Sequence, residues 1–469
     1  MATAAPQFRR LKRDVDMTEG SIIRHLLVFA APLMLGNLFQ QMYNMVDTWV
    51  VGNYVSNEAF SAVGSVGPII NVLIGFFLGF SSGVGVVISQ FYGARQYDKV
   101  QDTVHTAIAV TLLLGVVLSV VGVTMTPFAL RMMKTPEEVF PESKAYLTIY
   151  FSGLLGLMIY NIGSGILRAV GDSSRPFYFL VVSAIVNTVL DLVFVLVLHM
   201  GVEGVALATI IAQGVSATLV LITLTRSDIC IKLSWQKLKV HRDMLFKILK
   251  VGLPASLQMA ITSFSNVFVQ SYINYFGKDC MSGWTAYSKT DALLFLPMQS
   301  IALASTTFVG QNLGKNNVVR AKKGVNTALM LAMSITAVGM IPVMIFAPYV
   351  VAFFNNEPGV IEYGTMFLRN ITPFYIVCAV NQVCSASLRG AGNSRTPTII
   401  MLCTFVGLRQ VYMYIMSTFI VNEALPVIMG YPVGWVACSI CIYTYYRLVK
   451  LEKSRLVDDK KKQSAEESE

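Results

Sequence analysis

Twelve long apolar stretches dominate the chain and leave few ways to fold it. Their soft edges fall near 25–51, 60–88, 104–126, 145–167, 177–199 and 205–225, then 247–276, 284–310, 325–347, 363–388, 398–420 and 427–446. Each is long enough to cross the roughly 30 Å hydrocarbon core of a bilayer as an α-helix. Only helices and closed barrels span lipid with every backbone polar group satisfied, and runs this long without strict alternation are helices. Composition agrees: 55% of the 469 residues are hydrophobic and 13% charged, which fits a polytopic membrane protein and no soluble class. The expected fold is an all-α polytopic membrane protein with twelve transmembrane helices.

The formal net charge of +10 invites a nucleic-acid reading, and the placement of the charges argues against it. With the N-terminus set in the cytoplasm, 29 of the 36 Lys and Arg fall in the tails and the even-numbered connections. Arg131, Lys134, Lys144 and Lys278 fall on the opposite side, and Lys289, Arg369 and Arg409 lie inside spans. That asymmetry is a strong positive-inside signal with both termini cytoplasmic, and the basic residues then meet anionic lipid. Seven cysteines, an odd number with most lying in apolar runs, argue against a disulfide framework, and the single Cys-x-x-Cys, at 438–441 inside such a run, does not suggest metal. Residues 1–20 are polar and basic without the apolar core of a signal peptide, so the first helix is expected to serve as the insertion signal.

The chain also repeats itself. At an offset of 221 residues Gln90 meets Gln311 and Gly93 meets Gly314, and Ser-x-x-Leu-Arg-x-x-Gly-x-Ser-x-x-Pro at 164–176 recurs at 385–397. At 222, Pro32 meets Pro254 and Asn44 meets Asn266. Each half holds six spans, an even number, so both run the same way through the membrane as two six-helix lobes related by a pseudo-twofold axis along its normal. The expected organisation is a cytoplasmic tail 1–24, an N-terminal lobe 25–225, a basic linker 226–246, a C-terminal lobe 247–446 and a cytoplasmic tail 447–469. The linker, with Trp235 among lysines, reads as a solvated connection or as an amphipathic segment on the inner leaflet. The mixed charges of 453–469 read as disorder. In the recurring turn, Arg168 and Arg389 are placed to bind the last carbonyls of the helices before them, the Gly ends each helix, and the Pro starts the next.

Against this plan, the informative residues are polar ones that lipid should exclude. Asn37, Gln40, Gln41, Asn44 and Asp47 fall along one face of the first helix, a stripe that must face protein or water. Asp191, with Asn187 four residues before it, and Thr209 on the next helix lie at a matching depth, roughly 9–12 Å below the outer surface at a helical rise of about 1.5 Å per residue. Two carboxyls flanked by amide and hydroxyl oxygens are the hard ligands Na⁺ prefers, and they also form a pair that can share a proton. The alternative is a satisfied structural stripe between helices. Carried forward by the repeat, Asp47 becomes Val269, Asp191 becomes Tyr412 and Thr209 becomes Gly430. The acids are confined to the N-terminal half, which favours function over packing, provided that the first and fifth helices meet.

The C-terminal half carries Lys289, Asp291, Arg369 and Arg409 inside its spans. One reading has these ions satisfying one another within the bundle; the other has Asp291 or Lys289 lining a substrate or proton path. Pro32, Pro254 and Pro373 remove helix hydrogen bonds, and Pro32, fifteen residues before Asp47, is a candidate hinge or an inert packing kink. Met and aromatic side chains of the seventh, eighth and tenth helices suit an adaptable apolar cavity. No HExxH or P-loop motif occurs, and a lone Gly-x-Ser-x-Gly at 79–83 lies inside an apolar span rather than at a strand-to-helix turn. Without a nucleotide site, pumping would have to draw on an ion gradient.

Several short motifs, in order and spacing, resemble one known family. They are Ala-Ala-Pro-Leu-Met at 30–34, Tyr-Asn-Met-Val-Asp at 43–47, Ser-Gln-Phe-Tyr-Gly-Ala at 89–94, Ile-Leu-Arg-Ala-Val-Gly-Asp at 166–172, Asn-Thr-Val-Leu-Asp at 187–191 and Gly-Gln-Asn-Leu-Gly at 310–314. From about residue 17 to 450 the chain is similar to the multidrug and toxic compound extrusion (MATE) transporters, in their prokaryotic DinF-like branch. The resemblance implies an antiporter, not an enzyme, that exports amphipathic and often cationic compounds in exchange for H⁺ or Na⁺ by alternating access. It implies a cation site at Asp47, Asp191, Asn187 and Thr209, with Asn44 as a further member and Pro32 as a hinge. It also implies the inner membrane of a prokaryote, no cofactor beyond the coupling ion, small-molecule and lipid partners without nucleic acid, and a monomer. Two other readings stand beside it. A lipid-linked oligosaccharide flippase of the same broad superfamily would need a strongly cationic cavity, against three Lys or Arg in the spans. A membrane-embedded lipid-modifying enzyme would need an acid/base pair or nucleophile near one interface.

Overall fold

A computed structural model describes residues 16–55, 57–133 and 135–457. Lys134, one of the basic residues assigned to the outer side, lies outside the described residues, as do 1–15 and 458–469. Among the described residues there are helices and no strand.

Twelve spans follow one another. The N-terminal six are α1 (Ile22–Tyr54), α2 (Asn57–Gly93), α3 (Tyr97–Met132), α4 (Phe140–Ser152 continued by Leu154–Ala169), α5 (Ser174–Val197) and α6 (Gly201–Thr225). The C-terminal six are α7 (Arg242–Tyr275), α8 (Lys278–Gly314), α9 (Val318–Ile345), α10 (Pro358–Gly390), α11 (Arg395–Ile420) and α12 (Ala424–Leu448). Eleven are long and apolar enough to cross a membrane as they stand, and the twelfth is α4, whose two halves bend by 47° at Gly153. The protein is therefore a multi-pass membrane protein with two six-helix lobes, as the apolar runs and the internal repeat predict.

The recurring turn works through its glycine. Gly171 and Gly392 take φ of 93° and 97°, a left-handed conformation that a Cβ would strain. There the chain closes α4 and α10 in the same way: Asp172 N–H bonds the Leu167 carbonyl and Asn393 N–H the Leu388 carbonyl, each at 3.0 Å. Asp172 then caps α5, accepting from Ser174 N–H and Arg175 N–H at 3.2 and 3.1 Å. In the second copy the arginine acts otherwise than expected. Arg389 turns back along its own helix and donates to Ser385 Oγ at 3.1 Å, while the turn's own N–H groups take the last carbonyls.

The connections are also more structured than their composition suggests. Cys230, Ile231 and Leu233 of the linker are buried in the N-terminal lobe, Ser234 N–H donates to His105 Nε2 at 3.1 Å and His241 N–H to Thr106 Oγ1 at 3.0 Å. Trp235 fits the expectation of exposure, as do Lys232, Lys237 and Lys239 around it. The expectation of disorder from 453 onward fails at its start: after a turn at Leu451–Ser454, Leu456 and Val457 are buried against the N-terminal lobe. Alternating apolar and charged residues hide this in the sequence, because the apolar pair is too short to stand out.

The lobes meet mainly along α2 and α7. Near the face that carries both termini the two backbones touch: a Cβ on Gly83 would collide with the Gly252 backbone, so glycine is required for that approach. Toward the opposite face, Gly64 and Gly67 of α2 have open space around them, and Phe264 and Phe268 of α7 are exposed. The lobes thus close at the terminal face and part toward the other.

Candidate ion-coupling site

The N-terminal acids come together. α5 packs between α1 and α6, which is the condition on which a two-carboxylate site depended. Asp191 is completely buried, Asn187 and Thr209 are 2% and 7% exposed, and Asp47 is half-buried. The Asp47 and Asp191 carboxyls face each other at interaction distance. Both Asp191 oxygens, Asp47 Oδ1 and both amide atoms of Asn187 are buried and lack a hydrogen-bond partner. Burying that many orphaned polar atoms costs several kcal/mol unless something completes them. Two ionised carboxyls that meet this way present acceptors only, an arrangement that a shared proton or a coordinated cation can complete. Thr209 Oγ1 spends its proton on the Val205 carbonyl at 3.0 Å, so its lone pairs remain for a cation.

Of the other residues singled out in the sequence, Asn44 stays exposed on α1, and α1 runs as one continuous helix through Pro32. Sequence reasoning passed over the phenols. Tyr43 sits within electrostatic reach of Asp47, and Tyr146 of both acids. Tyr43 was legible, four residues before Asp47 on the same face; Tyr146, brought in by α4, carried no signal. A further trace is local: a π-helical segment, Val193–Val197, begins two residues after Asp191, and such bulges recur at functional sites.

The C-terminal charges do not satisfy one another, contrary to the first of the two readings. Tyr375 donates its hydroxyl to Asp291, and the Tyr287 hydroxyl lies 3.1 Å from that of Tyr375. Arg409, 3% exposed, stacks on Tyr431 with its guanidinium 4.5 Å from the ring centre and donates to Ser265 Oγ at 2.7 Å. Arg369 reaches the Met344 carbonyl near the end of α9 at 3.4 Å, and Lys289 is exposed. Asp291, Arg369 and Arg409, on three different helices, each found a partner other than one another. Around Asp291, Trp284, Tyr287, Phe367, Tyr375, Tyr431 and Trp435 pack ring to ring with centroids 4.7–6.3 Å apart.

The fold has relatives. The MatE family profile matches residues 32–193 and again 254–415, well over half the chain. The chain belongs to the MatE family. The two matches begin 222 residues apart, at Pro32 and Pro254, and each covers the first five helices of a lobe, so the family unit follows the internal repeat. The MatE protein is 29% identical over 446 residues to the probable multidrug resistance protein YoeA of Bacillus subtilis, covering 93% of this chain and 96% of that one. It is 21% identical to the multidrug export protein MepA of Staphylococcus haemolyticus, covering 94% and 96%. Its fold matches the outward-facing conformation of a multidrug resistance MATE family transporter of the MOP superfamily, with a TM-score of 0.87 at 24% identity over 94% of this chain and 98% of the other. The first MatE match includes Asp47, Asn187 and Asp191, and Thr209 lies beyond it.

Proposed function

We propose that this MatE protein is a secondary antiporter that exports amphipathic, often cationic compounds in exchange for H⁺ or Na⁺. The observation that carries this reading is the pair of facing carboxyls, half-buried Asp47 and fully buried Asp191, among buried polar atoms without partners. An ion bound there neutralises the pair and fills the orphaned oxygens. Its loss leaves two like charges in a low-dielectric site, which is the differential interaction an ion needs in order to bias two conformations. Asn187 and Thr209 supply further oxygens when the ion is Na⁺, and Asn44 and Pro32 are the remaining members of the helix-α1 device. With the terminal face in the cytoplasm, as the distribution of Lys and Arg favours, the cleft opens outward, and the ion enters from the outside of a prokaryotic inner membrane.

The test is efflux from vesicles of purified protein with Na⁺ and pH gradients imposed independently. The reading expects one gradient or the other to drive accumulation of an organic cation against its own gradient. Equal transport with both gradients collapsed would contradict it. Thr209 offers a finer check. Thr209→Val is expected to raise severalfold the concentration of Na⁺ needed for half-maximal efflux if Na⁺ is the ion, with Thr209→Ser restoring it; in an H⁺-coupled protein both leave the pH profile in place.

Asp291 within its aromatic surround is the proposed element for substrate, since a desolvated carboxylate beside π-faces favours organic cations. Asp291→Asn is expected to weaken binding of a monovalent organic cation severalfold while leaving a neutral analogue of the same shape unchanged, as read by equilibrium dialysis. Equal loss for both would assign Asp291 to packing. Lys289, exposed two residues away, is the second group on that path.

A further inference from the structure

At the terminal face the two lobes are joined by a device in which the internal repeat is matched residue for residue. Gln90 near the end of α2 and Gln311 near the end of α8 are both fully buried. Gln90 Nε2 donates across the seam to the Gly390 carbonyl at the end of α10, at 2.9 Å. Gln311 Nε2 donates in the other direction to the Ala169 carbonyl at the end of α4, also at 2.9 Å. Ala169 and Gly390, like the two glutamines, stand 221 residues apart. Each bond satisfies a carbonyl that a helix C-terminus leaves without an intrahelical partner.

The remaining oxygen of each glutamine is taken by one end of the chain. Met17 N–H donates to Gln311 Oε1 at 3.1 Å and Leu456 N–H to Gln90 Oε1 at 2.7 Å. These end segments are crossed. Met17 precedes the N-terminal lobe, yet its side chain is wholly buried in the core of the C-terminal lobe. Leu456 follows the C-terminal lobe, yet it is buried in the N-terminal one. Basic residues hold both segments down. Arg320 donates to the Glu19 and Gly20 carbonyls at 2.9 Å, and Lys247 Nζ donates to the Leu456 carbonyl at 2.8 Å. The helix ends themselves are in backbone contact, since a Cβ on Gly93 would collide with the Gln311 carbonyl and one on Gly314 with the Gln90 carbonyl.

We propose that Gln90 and Gln311, with the segments around Met17 and Leu456, form a paired latch that holds the terminal face shut while the cleft is open on the other side. Opening the terminal face has to break both cross-seam bonds, and it has to lift each end segment from the opposite lobe or drag it along. The ends of the chain are thereby working parts of the conformational cycle. This inference concerns the equilibrium of the protein alone and does not depend on which ion or compound it carries.

The test is a distance measurement between spin labels on the full-length protein in lipid nanodiscs, without substrate. D98C and V319C place labels on exposed positions at the starts of α3 and α9, 221 residues apart on opposite lobes, in a background where the exposed Cys403 and Cys441 are serine. Gln90→Leu and Gln311→Leu each remove two buried hydrogen bonds, so each is expected to raise the long-distance population about tenfold. The two shifts should be alike, because the sites are related by the repeat. Unchanged distances in variants that keep the parent's thermal midpoint would overturn the latch, and a shift in only one of them would overturn its pairing. Should either leucine variant fail to fold, Met17→Ala decides. It keeps every glutamine bond and removes one anchor, and it is expected to raise the same long-distance population; no change would overturn the proposal.

Discussion

Asp47→Asn and Asp191→Asn are each expected to cut gradient-driven efflux severely while leaving the protein folded and able to bind its substrate. Asparagine keeps the shape of the side chain and removes the charge that an exchanged ion neutralises. In each variant one carboxyl remains, so an ion can still be attracted, but the like-charge penalty that makes its departure matter is gone. Coupling free energies between two ligands are commonly about 1–3 kcal/mol, so uphill accumulation of substrate should fall by roughly 5- to 150-fold. Downhill equilibration of the same compound should persist. The substitutions should also leave thermal stability unchanged or raised, since a facing pair of buried acids is costly to keep. Loss of activity together with loss of folded protein would mean that the pair is structural. Wild-type efflux in both variants would remove the site from the coupling mechanism altogether.

Gly83→Val is the second substitution with a large expected effect. It places a branched side chain where α2 and α7 touch backbone to backbone, at Gly252. Overpacking of a tight contact costs about 1–3 kcal/mol. Because the contact belongs to the closed terminal face, most of that cost falls on one conformation, and a bias of this size moves a two-state equilibrium by roughly 5- to 150-fold. Ser256 of α7, fully buried in the same seam, reports it. With Ser256→Cys as the probe, a membrane-impermeant thiol reagent applied from the terminal side should react faster in the Gly83→Val background by a factor in that range. Equal rates would mean that the seam does not open during the cycle.

The sequence was most informative where physics leaves little choice. Long apolar runs must be helices in lipid, and the twelve spans appear where the runs lie, including α4 despite its break at Gly153. The repeat was legible because the turn at 164–176 has to be rebuilt with the same glycine at 392. The acids were legible because lipid excludes them, and depth alone brought Asp47, Asp191 and Thr209 to one level before any contact was known. Tertiary partners were not legible. Nothing in the spacing of Lys289, Asp291, Arg369 and Arg409 says that Asp291 would find Tyr375 and Arg409 would find Tyr431. Nor does the charge-rich C-terminal stretch announce that Leu456 would be buried in the far lobe. Gln90 and Gln311 were visible as repeat-related residues, but their role depends on the lobes facing each other, which is a property of the assembled fold.

The central claim is that the Asp47–Asp191 pair exchanges an ion for the exported compound. Its most direct test runs the exchange backwards. Vesicles of purified protein, with no ion gradient, receive an outward or inward gradient of an organic cation, and internal H⁺ and Na⁺ are followed with separate indicators. The account predicts counterflow of one of the two ions in the wild-type protein, and none in Asp47→Asn or Asp191→Asn. Movement of the compound without any counterflow in the wild type, or counterflow that survives in both variants, would contradict it.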